Sequence, residues 1–390
     1  MDPVLIVGGG IAGLTTALML ARSGRASVLL ERAFAFSEVG AGLQVSPNAA
    51  SVLDGLGLTG ALDRVSVEPE RIFMRTATTG KVLTTLPIGP FCRSRFSRPY
   101  RVVHRADLLQ ILIDAAAGDP LISLAAGADI VNVAFDQAGV RLEAADGRRF
   151  RGGLLVGADG VWSAIRTDTL GLPGAVPTGR TAWRATIEAR SLPEADWTSV
   201  GLWMGPDAHL VHYPLRDGSL VNLVAILAEP MAEKSWDAAT DRAALDKAFG
   251  KWAEPARSAI ATVRSWRRWP LYSSLPHRYP TDRPVILIGD AWHATLPFMA
   301  QGAAMAIEDA AVLSSCLIEA ADPASAGARF QKLRAGRTRS LVDLAARNGR
   351  IYHMSGAVAF ARNTTLSALP AGRLLAGLSW IYGWKPPPLS

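Results

Sequence analysis

Cysteine is nearly absent: Cys92 and Cys316 are the only two in 390 residues. Two cysteines build no disulfide framework, and neither stands at metal-ligand spacing, so no metal site is expected. Cys316 lies in an apolar helical run and reads as a buried thiol. No basic segment with an apolar core precedes the first strand, which follows Met1-Asp2-Pro3 directly; the expectation is a cytoplasmic, reducing setting. The apolar stretch from Ser355 to Trp384 is interrupted by Arg362, Asn363, Arg373 and glycines, which excludes a spanning helix. It reads as C-terminal helices packed on the body or, in a homodimer, on a partner subunit. Charged residues make up only 19% against 49% hydrophobic ones, a globular balance rather than a disordered one. The formal charge of +7 is dispersed. Its densest cluster, Arg329, Lys332, Arg334, Arg337 and Arg339, falls largely at helical spacing without interleaved aromatics. That pattern reads as a solvated helix face and not as a nucleic-acid groove. A positive field also favours the approach of small anions.

What the chain does have begins at its first strand. Val4-Leu5-Ile6-Val7 runs straight into Gly8-Gly9-Gly10-Ile11-Ala12-Gly13, a G-x-G-x-x-G frame on Gly8, Gly10 and Gly13. Ile11, Leu14, Leu18 and Ala21 then recur at helical spacing. Val28-Leu29-Leu30 forms the next strand, and Glu31 ends it about 20 residues past the glycines, the offset of an acid that binds ribose hydroxyls. The first glycine permits the tight turn, the second lets backbone approach a pyrophosphate, and the third lets helix and strand come close. Together these features predict dinucleotide binding. Only one such motif occurs, so a nicotinamide dinucleotide has no recognisable domain of its own.

A second signal lies near the other end. Val285 to Ile288 suits a buried parallel strand, Gly289-Asp290 breaks it, and a bend from Pro297 to Gly302 follows. Ala303, Ala304, Ala306, Ile307 and Ala310 start a helix of small side chains, with Glu308 and Asp309 in its second turn. Asp290 can accept bonds from sugar-like hydroxyls. The amides of Gln301, Gly302 and Ala303, at a helix N-terminus, can face a negatively polarised group. Between the two signals, Leu154-Leu155-Val156-Gly157-Ala158-Asp159-Gly160 is another aliphatic strand ending in a turn, followed by Val161, Trp162, Ser163 and Arg166.

These three motifs, in this order, resemble the group A FAD-dependent aromatic hydroxylases, single-component flavoprotein monooxygenases, and among them the salicylate, 3-hydroxybenzoate and 6-hydroxynicotinate hydroxylases. Also similar are Glu38-Val39-Gly40-Ala41-Gly42-Leu43-Gln44 with Ser46-Pro47-Asn48-Ala49, and His104-Arg105-Ala106-Asp107-Leu108. Ala182-Trp183-Arg184, His209-Leu210-Val211-His212-Tyr213-Pro214 and Trp380-Ile381-Tyr382-Gly383-Trp384 match too, so the likeness covers nearly the whole chain. One departure is Ala294, where relatives often carry a proline after the Gly-Asp-Ala-x-His run.

The resemblance implies non-covalent FAD, with NADH or NADPH as a transient co-substrate and O2 as oxidant. In that family the ring of a small hydroxylated aromatic or heteroaromatic acid is hydroxylated through a flavin C4a-hydroperoxide. It implies cofactor contacts from Gly8, Gly10, Ile11, Ala12 and Gly13, from Glu31 at the adenosine ribose, from Arg105 along the FAD chain, and from Arg32 and Gln44. Asp159 would steady the cofactor from the second turn and Asp290 would meet its ribityl-pyrophosphate region. Pro297 would lie by the isoalloxazine, Gln301 near ring and substrate, and the Gly302 and Ala303 amides at the N1-C2=O edge. The protein's own part is positioning, exclusion of water and activation of the substrate.

The expected fold is α/β: a doubly wound, GR2-type Rossmann-like FAD lobe, a mostly antiparallel substrate sheet, and C-terminal helices. Residues 1–70, 101–170 and 282–320 would form the discontinuous FAD-binding domain. Residues 71–100 and 171–281 would form the substrate domain, and 321–390 the helical tail. Strand-like stretches at Ala182 to Ala189, Leu210 to Pro214 and Leu220 to Leu227, with a helix near Ala239 to Trp252, would cover the flavin.

A phenol is a far better nucleophile once deprotonated, so a base near the substrate hydroxyl is expected. His209 and Tyr213 lie four apart on a predicted strand and so share one face, and His209 is the candidate, with Tyr213 orienting the ring. A histidine titrates near neutrality, which suits the task. His212 points to the opposite face, His293 reads as structural, and His104 receives no chemistry. Arg75, Arg184 or another cation would hold the substrate carboxylate. Alternative readings are a flavin-dependent epoxidase or reductase acting on a larger apolar molecule, or a non-catalytic FAD-binding protein.

Overall fold

In the computed structural model the described residues are 2–36, 41–137, 139–192, 197–229 and 242–388. Glu38, Val39 and Gly40 of the family-like segment, and residues 239–241 of the expected helix, lie outside them. Within that expected helix, the described part folds as Ala243–Phe249.

The buried apolar strands assemble as sequence predicts. Val4–Val7, Ser27–Leu30, Ile122–Ala125, Leu154–Gly157 and Val285–Leu287 form one five-stranded sheet. Every pairing in it is parallel, with Val4–Val7 central between Ser27–Leu30 and Leu154–Gly157. Parallel strands need covering on both faces. The helix Ile11–Arg22 has ten of its twelve residues buried and meets the helix Gly302–Glu319, which buries fourteen of eighteen. Arg105–Ala117 packs beside the first of them.

A seven-stranded sheet lies apart, built from Ile72–Thr76, Val82–Leu86, Val176–Glu188, Val200–Gly205, Ala208–Leu215, Leu220–Ala228 and Arg267–Ser273. All its pairings are antiparallel except Val200–Gly205 with Ile72–Thr76. One face carries Leu210, Trp183, Trp203 and Leu223 under the helices Ala243–Phe249 and Ala256–Thr262. The other face turns toward the parallel-sheet lobe. Sequence reasoning missed a small third sheet, in which Arg101–His104 pairs with Gly42–Val45 and Ser66–Val67. It also missed an antiparallel meander spanning Ile130–Asp136, Gly139–Ala144 and Arg149–Gly152.

The tail holds a 30-residue helix, Pro323–Tyr352, whose Asp322 caps the start by accepting from Ser325 N. Beyond it, Leu375, Ile381 and Tyr382 are buried against the body. The helix Gly356–Ala368 buries none of its residues and leaves Phe360 74% exposed. No helix among the described residues is long and apolar enough to cross a membrane.

Candidate active site

The three motif glycines are required for three different reasons. Gly8 adopts φ +113°, and a Cβ there would sit 2.3 Å from the carbonyl oxygen of Ala158. A Cβ on Gly13 would fall 2.0 Å from the Gly8 oxygen, which is the close approach of helix to strand. A Cβ on Gly10, by contrast, would meet nothing within 4 Å. That open space at a helix N-terminus suits a pyrophosphate. Beside it, Gly9 N donates to Glu31 Oε2 at 2.7 Å and Ala33 N to Oε1 at 2.9 Å, fixing the carboxylate at the strand end. Arg32 is exposed next to it, Ile11 is buried under the turn, and Ala12 lies against Gly289.

Gly289 takes φ +57° and delivers Asp290 to the same cleft. The Asp290 carboxylate is open to solvent yet deep in protein; the surrounding protein raises its pKa, while His293 and Arg105 oppose that. Arg105 is held by its backbone N–H, which donates to Ala41 O at 2.8 Å. Asp159 turns both oxygens onto its own loop, accepting from Ser163 Oγ at 2.5 Å and Ile165 N at 3.1 Å. It therefore shapes the second turn. Gln44, expected at the cofactor, accepts from the Tyr100 hydroxyl.

Buried Arg166, to which the sequence alone assigns no role, ties these turns together. Its guanidinium donates to Trp292 O at 2.7 Å, Ala291 O at 3.3 Å, Ser274 Oγ at 3.2 Å and Pro173 O at 2.5 Å. The departure at Ala294 has a local account. Its φ of −56° would suit a proline, but its N–H donates to Ser274 Oγ at 2.9 Å, a bond proline cannot make. Trp292 is fully buried and donates to His277 O at 3.0 Å.

Pro297–Met299 forms one 3-10 turn, Ala300 follows at φ +51°, and Gln301 begins the helix Gly302–Glu319. Pro297, Gly302 and Ala303 are half-buried. Gln301 is 2% exposed: its amide donates to Ser46 Oγ at 3.0 Å and accepts from Asn48 Nδ2 at 3.1 Å. Asn48 donates onward to Glu308 Oε1 at 2.6 Å. Here the reading of the basic cluster needs correction. Arg334 is not solvated but buried, donating to Glu308 at 2.7 Å and Asp309 at 2.7 Å, while Arg337 reaches Glu308 at 2.6 Å. Burial alone would raise the Asp309 pKa, but His293 at 2.6 Å and Arg334 hold it below the usual carboxylate value. Asp309 also accepts from Gly289 N at 2.9 Å, so His293 is structural and the network supports the Asp290 turn.

On the seven-stranded sheet, His209 and Tyr213 share the inner face, as alternation requires. Their cross-strand partners Ile226 and Asn222 lie on it too. His212 points outward against Trp197 and Trp203. The Tyr213 ring lies where a Cβ on Gly42 would be, 2.3 Å from its Cε2. Asn222 Oδ1 accepts from Gly42 N at 2.8 Å, pinning the sheet to the nucleotide lobe. His209 is 1% exposed, with ring centroids of Phe298 at 5.0 Å and Tyr352 at 5.5 Å. Its Nδ1 lies 2.6 Å from His353 Nε2. Burial pushes its pKa well below 6.5, and His353 and Arg180 push the same way, so it does not titrate near neutrality as expected from sequence. Arg184 is on the inner face over Trp269 at 4.7 Å, whereas Arg75 faces outward over Trp203 at 5.3 Å.

The open cradle at Gly10, the fixed Glu31 and the Asp290 turn define a dinucleotide-binding lobe covered by a second sheet, and these residues fit FAD. The FAD binding domain family matches residues 1–339. The 3-hydroxybenzoate 6-hydroxylase of Polaromonas naphthalenivorans (strain CJ2) is 33% identical over 98% of this chain and 96% of its own length. The 3-amino-4-hydroxybenzoate 2-monooxygenase of Streptomyces cremeus is 34% identical over 97% and 94%. The structure of HpxO from Klebsiella pneumoniae complexed with FAD and uric acid superposes with TM-score 0.84 at 26% identity, over 97% of this chain and 95% of that one. A salicylate hydroxylase substrate complex shares the fold at TM-score 0.81 and 23% identity, over 100% and 99%. The chain belongs to the group A FAD-dependent aromatic hydroxylases.

Proposed function

We propose that the protein hydroxylates a small hydroxylated aromatic acid, using NADH or NADPH and O2, at a site between the Pro297–Met299 turn and the inner face of the seven-stranded sheet. The observation that carries this is the contact of His209 with Phe298, which brings the strand holding the candidate base against the turn expected beside the flavin. In this reading 1–70, 101–170 and 282–320 form the cofactor domain, 71–100 and 171–281 the substrate domain, and 321–390 the helical tail; the five-stranded parallel and seven-stranded sheets support it. A homodimer through the exposed Val358 and Phe360 of that tail belongs to the same reading.

When bound, FAD would supply the redox chemistry that passes two electrons from the nicotinamide to O2, one atom of which enters the ring while the other leaves as water. The chain's residues supply the rest. Gly8, Gly10, Ile11, Ala12 and Gly13 seat the pyrophosphate, Glu31 and Arg32 the ribose, and Arg105 and Asp290 the middle of the cofactor, with Gln44 and Asp159 shaping its surroundings. Pro297 bounds the ring, Gln301 positions the turn, and the Gly302 and Ala303 amides favour negative charge at the flavin edge. Ala182, Val224, Ile226, Leu271 and Leu296 give apolar walls that keep water from a flat ring. His209 takes the proton from the substrate hydroxyl and Tyr213 orients the ring. Between the two cations considered from sequence, Arg184 is the one on the inner face, and it holds the carboxylate beside the fully buried Asn222 amide.

The test is the rate of flavin reduction by NADH and NADPH in the holoenzyme across a panel of hydroxybenzoates and hydroxynicotinates. Acceleration by one of them, with ring-hydroxylated product formed, is expected; no acceleration by any of them would refute the assignment. His209→Ala should keep the flavin spectrum while hydroxylation falls by a large part of about 10² to 10⁴. That loss should shrink at high pH, where the phenol ionises unaided.

A further inference from the structure

A row of side chains crosses the inner face of the seven-stranded sheet in register. Thr186, Asn222 and Tyr213 are direct cross-strand partners on Val176–Glu188, Leu220–Ala228 and Ala208–Leu215. Residues so placed stand about 4.5–5.5 Å apart at Cβ. Beyond Tyr213 the row is apolar: Val200 and Ile72, partners on the next two strands, pack in the same cluster as the Tyr213 ring. At its other end the row is polar. Fully buried Asn222 accepts from Gly42 N through Oδ1 at 2.8 Å, but its Nδ2 has no hydrogen-bond partner among the described residues. Directly opposite, Thr186 Oγ1 is buried and equally without one. Arg184 lies two residues from Thr186 on the same face. Gly42 N can only donate, so the Asn222 atom that meets it is the oxygen, and the amide cannot be turned round. The end pointing away is an NH2 group with two N–H bonds and no acceptor. Native proteins seldom bury such a group unsatisfied, because the lost hydration is not repaid.

We propose that Asn222 is a specificity-determining residue: its Nδ2, with Thr186 Oγ1 opposite, donates to an oxygen of the substrate carboxylate, so that the site selects rings carrying an acceptor-only group at that end. The inference rests on the reading of the substrate as a small hydroxylated aromatic acid. The polarity of the row sets the pose. Tyr213, Val200 and Ile72 take the hydrocarbon side of the ring, and the carboxylate turns toward Asn222 and Thr186. An ionised carboxylate has about four lone-pair sites and no proton, which matches an amide NH2, a hydroxyl and a guanidinium, all able to donate. Bonds to a charged acceptor are roughly twice as strong as neutral ones. Arg184 attracts any anion by its charge, whereas Asn222 adds no charge. Its amide plane is fixed by Gly42 and requires an oxygen at one place. A ring with a methyl or a hydrogen there leaves the buried NH2 unpaired, and sites built around buried polar groups reject such analogues strongly. An ammonium group is excluded twice, by the N–H bonds it would meet and by Arg184.

The test is equilibrium dialysis of the holoenzyme with 3-hydroxybenzoate, salicylate and 6-hydroxynicotinate. Each is compared with its analogue lacking the carboxylate, phenol for the first two and 2-hydroxypyridine for the third. Asn222→Asp keeps an oxygen for Gly42 N and puts a second oxygen where the NH2 stood. It should hold FAD as wild type does, while the Kd of the preferred acid rises about a hundredfold and that of its analogue by less than about threefold. Thr186→Val removes one hydroxyl at constant shape and should weaken the acid about three- to tenfold, again sparing the analogue. An acid preference unchanged in Asn222→Asp would overturn the proposal; so, should that variant not fold, would one unchanged in Thr186→Val. Weakened FAD binding with acid binding intact in Asn222→Asp would also overturn it, because the NH2 would then serve a flavin carbonyl. If none of the three acids binds the unmutated holoenzyme more tightly than its analogue, the aromatic-acid reading itself fails, and this proposal with it. If one does and the variants leave that preference alone, only the assignment of Asn222 fails.

Discussion

Glu308 and Arg334 meet at 2.7 Å in the interior, with 0% and 1% of their side chains exposed. Each has further partners: Arg334 reaches Asp309, and Glu308 accepts from Arg337 and Asn48. The two longest tail-side helices are thereby joined at the point where one of them opens with Gln301 and where Asp309 supports the Gly289-Asp290 turn. Desolvating such a cluster offsets much of its Coulombic gain, so its consequence is geometric more than energetic. It fixes the direction of two segments, the Gly289-Asp290 turn and the start of the Gly302–Glu319 helix, that are proposed to face the cofactor.

Removing one member should therefore cost more than removing the pair. Arg334→Met leaves Glu308 and Asp309 buried with a deficit of positive charge, and about 3–5 kcal/mol of stability should be lost. Urea denaturation of the apoprotein measures this. Arg334→Met combined with Glu308→Gln and Asp309→Asn should recover a good part of the loss. A triple variant no more stable than Arg334→Met alone would show that packing, not charge, is what Arg334 supplies.

The glycines of the first turn separate folding from binding. Gly10→Val should fold and melt near wild type as apoprotein, since its Cβ has open space, but should lose bound FAD because the side chain fills the cradle. Gly13→Ala should destabilise the apoprotein itself, because the added carbon would sit 2.0 Å from the Gly8 oxygen. Flavin-to-protein ratio and apoprotein melting, measured together, distinguish the two. Retention of stoichiometric FAD by Gly10→Val would remove the pyrophosphate from that position.

Much of this was legible because local geometry decides it. Strand, glycine turn, helix and acid follow one another within 31 residues, and period-two alternation correctly placed His209 with Tyr213 and opposite His212. Contacts that bridge distant segments were not legible. Arg334 sits in a helix-periodic run of cations, and nothing near it in sequence reveals that Glu308 and Asp309, 26 and 25 residues away, draw it inside. Asn222 meets Gly42 across 180 residues, and His353 meets His209 across 144. A neutral-pH histidine was a fair expectation from composition alone, but full burial beside another histidine and a cation reverses it.

Those two histidines predict how stability depends on pH. Both have folded-state pKa values below the unfolded value near 6.5, so the unfolded chain binds more protons below that pH and stability must fall with acidity. A histidine that stays neutral in the fold contributes a loss of about 2 kcal/mol between pH 7 and pH 5. Replacing His353 with Gln should flatten the melting temperature in that window and leave it unchanged above pH 7.5. An unaltered pH slope would mean that His353 becomes protonated without unfolding.

Gln301 is the residue whose role most depends on its surroundings. Its side chain does not project freely toward a substrate: it is 2% exposed and held between Ser46 and Asn48. Gln301→Leu removes both bonds at nearly constant volume, so the Ser46 hydroxyl and the Asn48 amide each lose a partner, at about 1–3 kcal/mol per buried group. FAD should be retained, because Gly10, Glu31 and Asp290 are untouched, while hydroxylation falls as the Pro297–Ala300 turn loses its fixed position. Ser46→Ala breaks one of the two Gln301 bonds, together with the bond of 2.6 Å that Ser46 Oγ donates to Asn48 Oδ1, and leaves the Gln301 side chain and its Asn48 bond in place. If Gln301 acts by positioning the turn, Ser46→Ala should show the same pattern at smaller amplitude, with lower product per NAD(P)H and little change in FAD affinity. If Gln301 touches the reacting groups itself, Ser46→Ala should resemble wild type while Gln301→Leu is strongly impaired. Wild-type product yield and KM in Gln301→Leu would take the residue out of the active site altogether.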